Sequence, residues 1–272
     1  MLDESTTCYR HSDNRAAVAC QRCERPICTE CMNQASVGYH CPQCIASHGQ
    51  KVVTAQAVLN QRPPITTALI AANVLAFLGQ LGSSGDLTRW GLLFGPAVAV
   101  GEWWRVITAG FLHAGLLHIG FNMYALWIFG PTLERGLGAI RFALIYLAGL
   151  LGGSLAVLAF NHEQSTLGAS GAVLGLAGGI AAVLMARGIN IFQTSLGAIF
   201  LINLALPLLV PQISFWGHLG GIAAGFAAGF LVSWLPERAG LPERAAIGAT
   251  AALTMSLFVV SLVLGDLGGL AV

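Results

Sequence analysis

Four polar side chains interrupt the apolar part of this sequence with residue types that could carry out acyl transfer. Ser170 lies in GASG, His218 precedes LGG, and both His118 and Asn122 lie in HAGLLHIGFN. A serine hydroxyl is a weak nucleophile until a base removes its proton, and histidine titrates near neutral pH and can be that base. The attack creates an oxyanion, which a histidine N–H and an asparagine amide could stabilise. His118 and Asn122 are at i and i+4, so they lie on one side of a helix.

These side chains share a predicted depth. Each of their segments has a charged residue near its far end. At a rise of about 1.5 Å per residue, Ser170, His118 and His218 lie about 24–28 Å from those charges. Ionisable residues inside membrane segments are rare and mark functional sites. No Asp or Glu is predicted at this depth, so a Ser–His dyad without a third carboxylate is the economical interpretation.

The elements that position these residues are predicted to be membrane helices. The sequence is 56% hydrophobic and only 9% charged, whereas soluble domains carry about 25% charged residues. A bilayer-spanning helix needs roughly 20 apolar residues. The sequence therefore predicts an all-α polytopic membrane protein with seven candidate segments: 65–82, 117–133, 139–160, 169–186, 193–211, 213–235 and 245–265.

Two rows of glycines predict which helices meet. Small residues at a spacing of four let membrane helices approach closely. The row in the segment of Ser170 consists of Gly171, Gly175 and Gly179. The row in the segment of His218 consists of Gly217, Gly221, Gly225 and Gly229. Packing of these rows is expected to bring the imidazole of His218 near Ser170.

The arginines predict the orientation. They cluster at alternate connections, chiefly as Arg135, Arg141, Arg187, Arg238 and Arg244. The positive-inside rule then places the N-terminus in the cytoplasm, the C-terminus outside and Ser170 near the outer face of a cell membrane. The polar first 50 residues lack an apolar h-region, so no cleavable signal peptide is expected.

The N-terminal segment contains four pairs of metal-ligand residues, each pair separated by two residues. The pairs are Cys8 with His11, Cys20 with Cys23, Cys28 with Cys31, and Cys41 with Cys44. Eight ligands are enough for two tetrahedral zinc sites. The spacing alone allows consecutive or crossed pairing, and His40 and His48 could substitute as ligands. The alternative is that these cysteines are reactive or buried thiols.

The membrane part resembles the rhomboid family of intramembrane serine proteases over about residues 65–235. The resemblance rests on GASG, on GH before LGG, on HAGLLHIGFN with His113, and on the WWR motif. It implies cleavage of a peptide bond in or near a substrate's transmembrane helix, within a core of six helices. By match to the family motifs, Ser170 is the nucleophile and His218 the base, and the oxyanion is held by His118, Asn122 and the backbone N–H of Ser170.

Further positions match or depart from the family pattern. Trp104 and Arg105 match the motif of the loop between the first two helices, and Glu134 and Arg135 match a structural charge pair. The position one turn after the nucleophile is often aromatic in the family and is Leu174 here. The segment 245–265 lies outside the six-helix core and is interpreted as an additional C-terminal helix.

The N-terminal segment resembles a B-box-type zinc finger. The resemblance implies structural zinc ions in crossed pairing, with one site formed by Cys8, His11, Cys28 and Cys31 and the other by Cys20, Cys23, Cys41 and Cys44. No zinc is expected at the catalytic centre, which lies across the bilayer from this segment. The sequence of this segment shows no basic and aromatic surface of the kind that binds nucleic acid. A cytoplasmic protein partner is therefore expected.

The sequence thus predicts four parts: a zinc-binding domain at 1–50, a linker at 51–64, a protease core at 65–235, and an extra helix with a tail at 236–272. The leading hypothesis is an intramembrane serine endopeptidase that acts on single-span membrane proteins within the lipid bilayer. A non-catalytic rhomboid-like protein that binds membrane clients is the alternative. A receptor whose helices merely anchor the zinc finger is a third, and the polar residues at one depth argue against it.

Overall fold

The computed structural model describes residues 5–35, 37–48 and 63–269. The chain divides into two compact units, Met1–Gln61 and Arg62–Val272, which are described separately. Residues 51–62 of the predicted linker lie outside the described residues.

The N-terminal unit consists of two short hairpins and one helix. Strand β1 (Val18–Ala19) pairs with β2 (Pro26–Ile27), and β3 (Asn33–Gln34) pairs with β4 (Tyr39–His40), both antiparallel. Helix α1 covers Pro42–His48. The buried cluster of this unit consists of Ile27 and five cysteines, among the described residues. An apolar core this small cannot stabilise a fold alone.

In its described part, the second unit consists of helices and the loops that connect them. The helices are α2 (Pro64–Gly82), α3 (Asp86–Gly91), α4 (Gly95–Ala99), α5 (Arg105–Thr108), α6 (Leu116–Leu137), α7 (Ala139–Phe160), α8 (Ser170–Ala186), α9 (Ser195–Leu209), α10 (Phe215–Ala239) and α11 (Glu243–Gly269). Each of the seven predicted segments corresponds to one long helix. The all-α polytopic class is therefore confirmed.

Not every long helix has the length and hydropathy of a complete span. Four do within the described residues: α2, α7, most of α10 and most of α11. A fifth span is present if Arg105–Phe111 and α6, which meet at a bend of 92°, are counted as one. Helices α8 and α9 are shorter, with 17 and 15 residues, and at a rise of about 1.5 Å per residue they measure about 26 and 23 Å.

Helix α8 is the centre of the bundle, packed against α6, α7 and α10. Ten of its 17 residues are buried, as expected of a helix that is apolar on all sides. The predicted glycine rows meet here. A Cβ on Gly229 would lie 2.7 Å from Cα of Gly179, and one on Gly221 would collide with the carbonyl of Gly171. Small residues are therefore required where α8 and α10 touch.

The connection between α2 and α6 is folded around a buried arginine. The guanidinium of Arg105 donates hydrogen bonds to the carbonyls of Arg89 (2.7 Å) and Leu92 (2.8 Å). Its Nε pairs with the carboxylate of Glu102. A buried charge needs such partners, so the WWR motif here holds the loop together.

The C-terminal helix α11 packs against α4, α7 and α10. An ion pair between Arg141 and Glu243 joins its beginning to α7. Further along, Phe258 makes an edge contact with Trp103, at 6.4 Å between ring centroids. The segment predicted as an additional helix is thus integrated with the bundle and with the loop that precedes α6.

Glu134 links the end of α6 to the beginning of α2. Its carboxylate accepts hydrogen bonds from the backbone N–H groups of Ile65 (2.8 Å) and Thr66 (2.8 Å) and from the hydroxyl of Thr66 (2.7 Å). The first N–H groups of a helix have no intrahelical partner and attract negative charge. Glu134 therefore caps α2, a role that the predicted pairing with Arg135 does not describe.

Candidate active site and metal clusters

Ser170 and His218 meet at the ends of two packed helices. Ser170 is the first residue of α8, and His218 lies in the first turn of α10. The Oγ of Ser170 and the Nε2 of His218 are 3.1 Å apart, which is hydrogen-bond distance. His218 is 5% exposed and Ser170 is half-buried. His218 is thus shielded, whereas Ser170 is partly exposed.

A backbone carbonyl determines the tautomer of His218. The Nδ1 of His218 lies 2.9 Å from the carbonyl oxygen of Asn203 on α9. A carbonyl can only accept, so Nδ1 carries the proton, and in the neutral imidazole Nε2 has the lone pair. Nε2 can therefore accept the proton of the Ser170 hydroxyl. Sequence reasoning missed Asn203 because its side chain takes no part in this contact.

His118 presents an N–H group toward the same place. Its Nδ1 accepts a hydrogen bond from the backbone N–H of Ala114 (3.3 Å), which leaves the proton of the neutral ring on Nε2. A Cβ on Gly168 would lie 2.7 Å from Nε2 of His118 and 3.8 Å from Oγ of Ser170. The donor and the hydroxyl thus face each other across Gly168.

Asn122 lies one turn further along α6 and is buried. Its Nδ2 donates to the carbonyl of His118 at 2.9 Å. An amide NH₂ carries two hydrogens, so one N–H remains for another acceptor. His118 and Asn122 share one side of α6, as their spacing predicts.

The segment before Ser170 requires a glycine. Gly168 has φ +132°, a conformation that L side chains rarely adopt, and any side chain would also collide with His118. Its N–H donates to the carbonyl of Ala109 at 2.9 Å. Nearby, Leu93 and Thr166 exchange two backbone hydrogen bonds of 2.9 Å. The loop between α2 and α6 therefore fixes the start of α8, where unpaired N–H groups can bind an anion.

Gln80 is a second residue that sequence reasoning missed. Its side chain accepts from the N–H of His113 (2.9 Å) and donates to the carbonyl of the same residue (3.2 Å). The ring of His113 contacts that of His118 at 5.1 Å between centroids. Gln80 of α2 thus holds the turn that leads to His118.

The N-terminal unit brings its eight candidate ligands together in the crossed arrangement. The two groups are Cys8, His11, Cys28 and Cys31, and Cys20, Cys23, Cys41 and Cys44. Within each group the ligand atoms all lie within 4.8 Å of one another. Neither group includes His40, and the side chain of His48 lies outside the description.

Three ligand-to-ligand distances in these groups are close to those of a tetrahedral zinc site. Nδ1 of His11 lies 3.3 Å from Sγ of Cys28 and 3.5 Å from Sγ of Cys31, and Sγ of Cys23 lies 3.6 Å from Sγ of Cys41. A zinc tetrahedron with the usual bond lengths has edges of about 3.5–3.8 Å. These separations are too long for disulfides.

The thiols within each group differ in how readily they ionise. Burial opposes ionisation of Cys20, but backbone hydrogen bonds, chiefly from Cys41, outweigh it and lower the pKa of Cys20 to about 6. Burial and hydrogen bonds with neighbouring thiols raise the pKa of Cys31 to about 11. Hydrogen bonds with Cys23 and Cys41 raise the pKa of Cys44 to about 12. Zinc binds thiolates, so metal binding at these groups must displace protons.

Comparison with known proteins identifies the family to which the chain belongs. Residues 100–235 match the Rhomboid domain, which is half of the chain. The chain is 33% identical to rhomboid protease GluP of Bacillus subtilis over 226 residues, 80% of this chain and 43% of GluP. It is 40% identical to the mitochondrial RHOMBOID-like protein 6 of Arabidopsis thaliana over 168 residues, 59% of this chain and 53% of that protein.

A third relative, YdcA of Bacillus subtilis, is matched over nearly its whole length. The identity is 37% over 183 residues, 64% of this chain and 92% of YdcA. The chain spans about half the length of GluP and of RHOMBOID-like protein 6. The chain belongs to the rhomboid family, and it is a multi-pass membrane protein.

Proposed function

We propose that this protein is an intramembrane serine endopeptidase in which Ser170 is the nucleophile and His218 is the general base. The observation that supports this most directly is the 3.1 Å contact between Ser170 Oγ and a His218 Nε2 whose lone pair faces the hydroxyl. The family includes a named protease, GluP, and an intact Ser–His pair is what catalysis requires.

The proposed reaction has two steps. Oγ of Ser170 attacks the scissile carbonyl while Nε2 of His218 takes the hydroxyl proton, and the C–N bond then breaks as His218 returns that proton to the leaving amine. Water next attacks the acyl-enzyme, with His218 again as base, which releases the acid and regenerates Ser170. The attack by Ser170 and the attack by water each form a tetrahedral intermediate with a negatively charged oxygen. This oxygen is stabilised by Nε2–H of His118, the free N–H of Asn122 and the backbone N–H of Ser170.

The proposed substrates are single-span membrane proteins. In this arrangement α2, α6, α7, α8, α9 and α10 form a six-helix core, and α11 is the additional C-terminal helix. Helix α8 does not have to cross the whole bilayer, because Ser170, its first residue, lies within the bundle. The substrate must reach Ser170 there. The arginine distribution supports a cytoplasmic N-terminus, an extracytoplasmic C-terminus and a site near the outer face of a cell membrane.

The proposed role of the N-terminal unit is a B-box-like, zinc-stabilised domain. Cys8, His11, Cys28 and Cys31 would hold one ion and Cys20, Cys23, Cys41 and Cys44 the other. Each ion would supply cross-links in place of a hydrophobic core and no catalytic chemistry. A cytoplasmic protein is the proposed partner of this unit.

The competing function is a non-catalytic membrane protein that binds clients. It would need neither the hydroxyl of Ser170 nor the oriented imidazole of His218. The two functions differ in one measurable property, which is turnover that depends on Ser170.

The test is cleavage by the purified full chain in proteoliposomes, with a panel of single-span substrates. Ser170→Ala and His218→Ala are expected to abolish cleavage, and a fluorophosphonate is expected to label Ser170 in the wild type. Ser261→Ala is the matched control, because Ser261 is a buried serine of α11 bonded to its own helix. Cleavage by Ser170→Ala at the wild-type rate would reject the proposal.

A further inference from the structure

The acceptor that orients His218 is a carbonyl that its own helix leaves without a donor. In an α-helix the carbonyl of residue i accepts from the N–H of residue i+4. The residue four positions after Asn203 is Pro207, the proline inside α9. Proline has no N–H, and its ring crowds the carbonyl of residue i−4. The sequence thus deprives the carbonyl of Asn203 of its helical donor.

This same carbonyl is the one that accepts from Nδ1 of His218 at 2.9 Å. Among the described residues, no carboxylate is hydrogen-bonded to His218. In a Ser-His-Asp triad the carboxylate holds the tautomer in which Nε2 faces the serine. Here a backbone carbonyl occupies that position, and its lone pairs are available because of Pro207.

Packing does little to position this part of α9. The buried residues of the helix are Leu196 and Gly197, both in its first turn. The side-chain amide of Asn203 donates to the carbonyl of Ile199 at 2.9 Å and so does not compete for the imidazole. The direction of the Asn203 carbonyl therefore depends on the local backbone, which Pro207 controls.

We propose that Pro207 is a positioning residue of the Ser–His pair: by withholding an N–H from the carbonyl of Asn203, it reserves that carbonyl for Nδ1 of His218. The inference rests on the proposed function of Ser170 and His218. Pro207 touches no reacting atom and acts through the imidazole alone.

The test compares two replacements that differ in one N–H group. Pro207→Ala restores the N–H, which then bonds to the carbonyl of Asn203. Lactic acid incorporated at position 207 carries the same methyl group on an ester and has no N–H. Pro131→Ala is the matched control, because Pro131 lies inside α6 and the carbonyl it frees belongs to Trp127.

Pro207→Ala is expected to lower kcat by about 10-fold at unchanged KM, the size of one neutral hydrogen bond. The ester variant is expected to retain the wild-type kcat, as is the Pro131 control. Nitrogen-15 spectra of the imidazoles should show a mixture of His218 tautomers in Pro207→Ala and the Nδ1–H form in the wild type and the ester.

Three outcomes would overturn the proposal. The first is an unchanged kcat and tautomer in Pro207→Ala. The second is equal loss of kcat in the alanine and ester variants, which would assign the effect to the proline ring. The third is a loss of kcat without any change of tautomer. Failure of the proposed function itself is distinguishable, since it appears as wild-type cleavage that survives Ser170→Ala, whereas the tautomer measurement does not depend on cleavage.

Discussion

Gly225 of α10 lies directly against the backbone of Gly175 of α8, so closely that a Cβ on Gly225 would lie 2.1 Å from the carbonyl oxygen of Gly175. On its other side, Gly175 is also close to α7, where a Cβ on Gly149 would lie 2.8 Å from Cα of Gly175. The backbones of α7, α8 and α10 are thus in direct contact. Ser170 and His218 lie at the ends of two of them, so this contact sets their separation.

Gly225→Ala is expected to weaken both the fold and the site. The added methyl group must push α8 and α10 apart, and overpacking of this kind costs about 1–3 kcal/mol. A lower melting temperature and a lower kcat should be measured together. The matched control is Gly248→Ala in α11, where a Cβ would meet nothing within 4 Å. Equal behaviour of the two variants would contradict the role of the glycine contact.

His118→Ala and Asn122→Ala are each expected to slow cleavage without abolishing it. Removal of one oxyanion donor costs about 10²–10³ in rate in soluble enzymes, and here the backbone N–H of Ser170 remains. Single-turnover rates measure the effect on chemistry, and fluorophosphonate labelling checks that the site is still formed. Full-speed cleavage by the double variant would show that neither side chain holds the oxyanion.

Glu134→Gln is expected to destabilise the membrane unit. A glutamine can accept through one oxygen only, and its NH₂ group would face another donor at the start of α2. An unsatisfied buried donor costs about 1–3 kcal/mol, which thermal unfolding in detergent should detect. The control is Glu163→Gln, because Glu163 is exposed in the α7–α8 connection. A melting temperature equal to that of the wild type would argue against the cap.

The full chain is expected to contain two zinc ions under reducing conditions. Elemental analysis should give two per chain in the wild type and in His40→Ala, and about one in Cys20→Ser or Cys28→Ser. A value well below two in the wild type would reject the metal sites.

Because Cys31 and Cys44 are protonated at neutral pH before metal binds, zinc addition to the metal-free chain should release protons, and zinc affinity should fall as the pH is lowered.

Deletion of residues 1–50 is expected to leave cleavage of a detergent-solubilised substrate largely unchanged. The candidate catalytic residues all belong to the unit that follows Gln61, and the metal is proposed to be structural. In cells the same deletion should alter partner choice or regulation. Complete loss of activity in vitro, with the membrane unit still folded by thermal unfolding, would contradict this separation of roles.

The sequence alone was sufficient for the helical class, the seven long segments and the candidate chemistry. Apolar runs, glycines at a spacing of four and ligand pairs separated by two residues are local signals, and each depends only on residue type and spacing. The spacing of His118 and Asn122 predicted their common side of α6 for the same reason. Membrane helices satisfy their own backbone hydrogen bonds, so their existence depends little on what surrounds them.

The tertiary structure decided which groups complete the site. Asn203 contributes a backbone carbonyl, which every residue type possesses, and it reaches His218 only because α9 and α10 lie side by side. Gln80 and Glu134 act on backbone groups that are 33 and 69 residues away in the chain. Long-range hydrogen bonds to the backbone leave no pattern in residue type or spacing, so only the folded arrangement could reveal them.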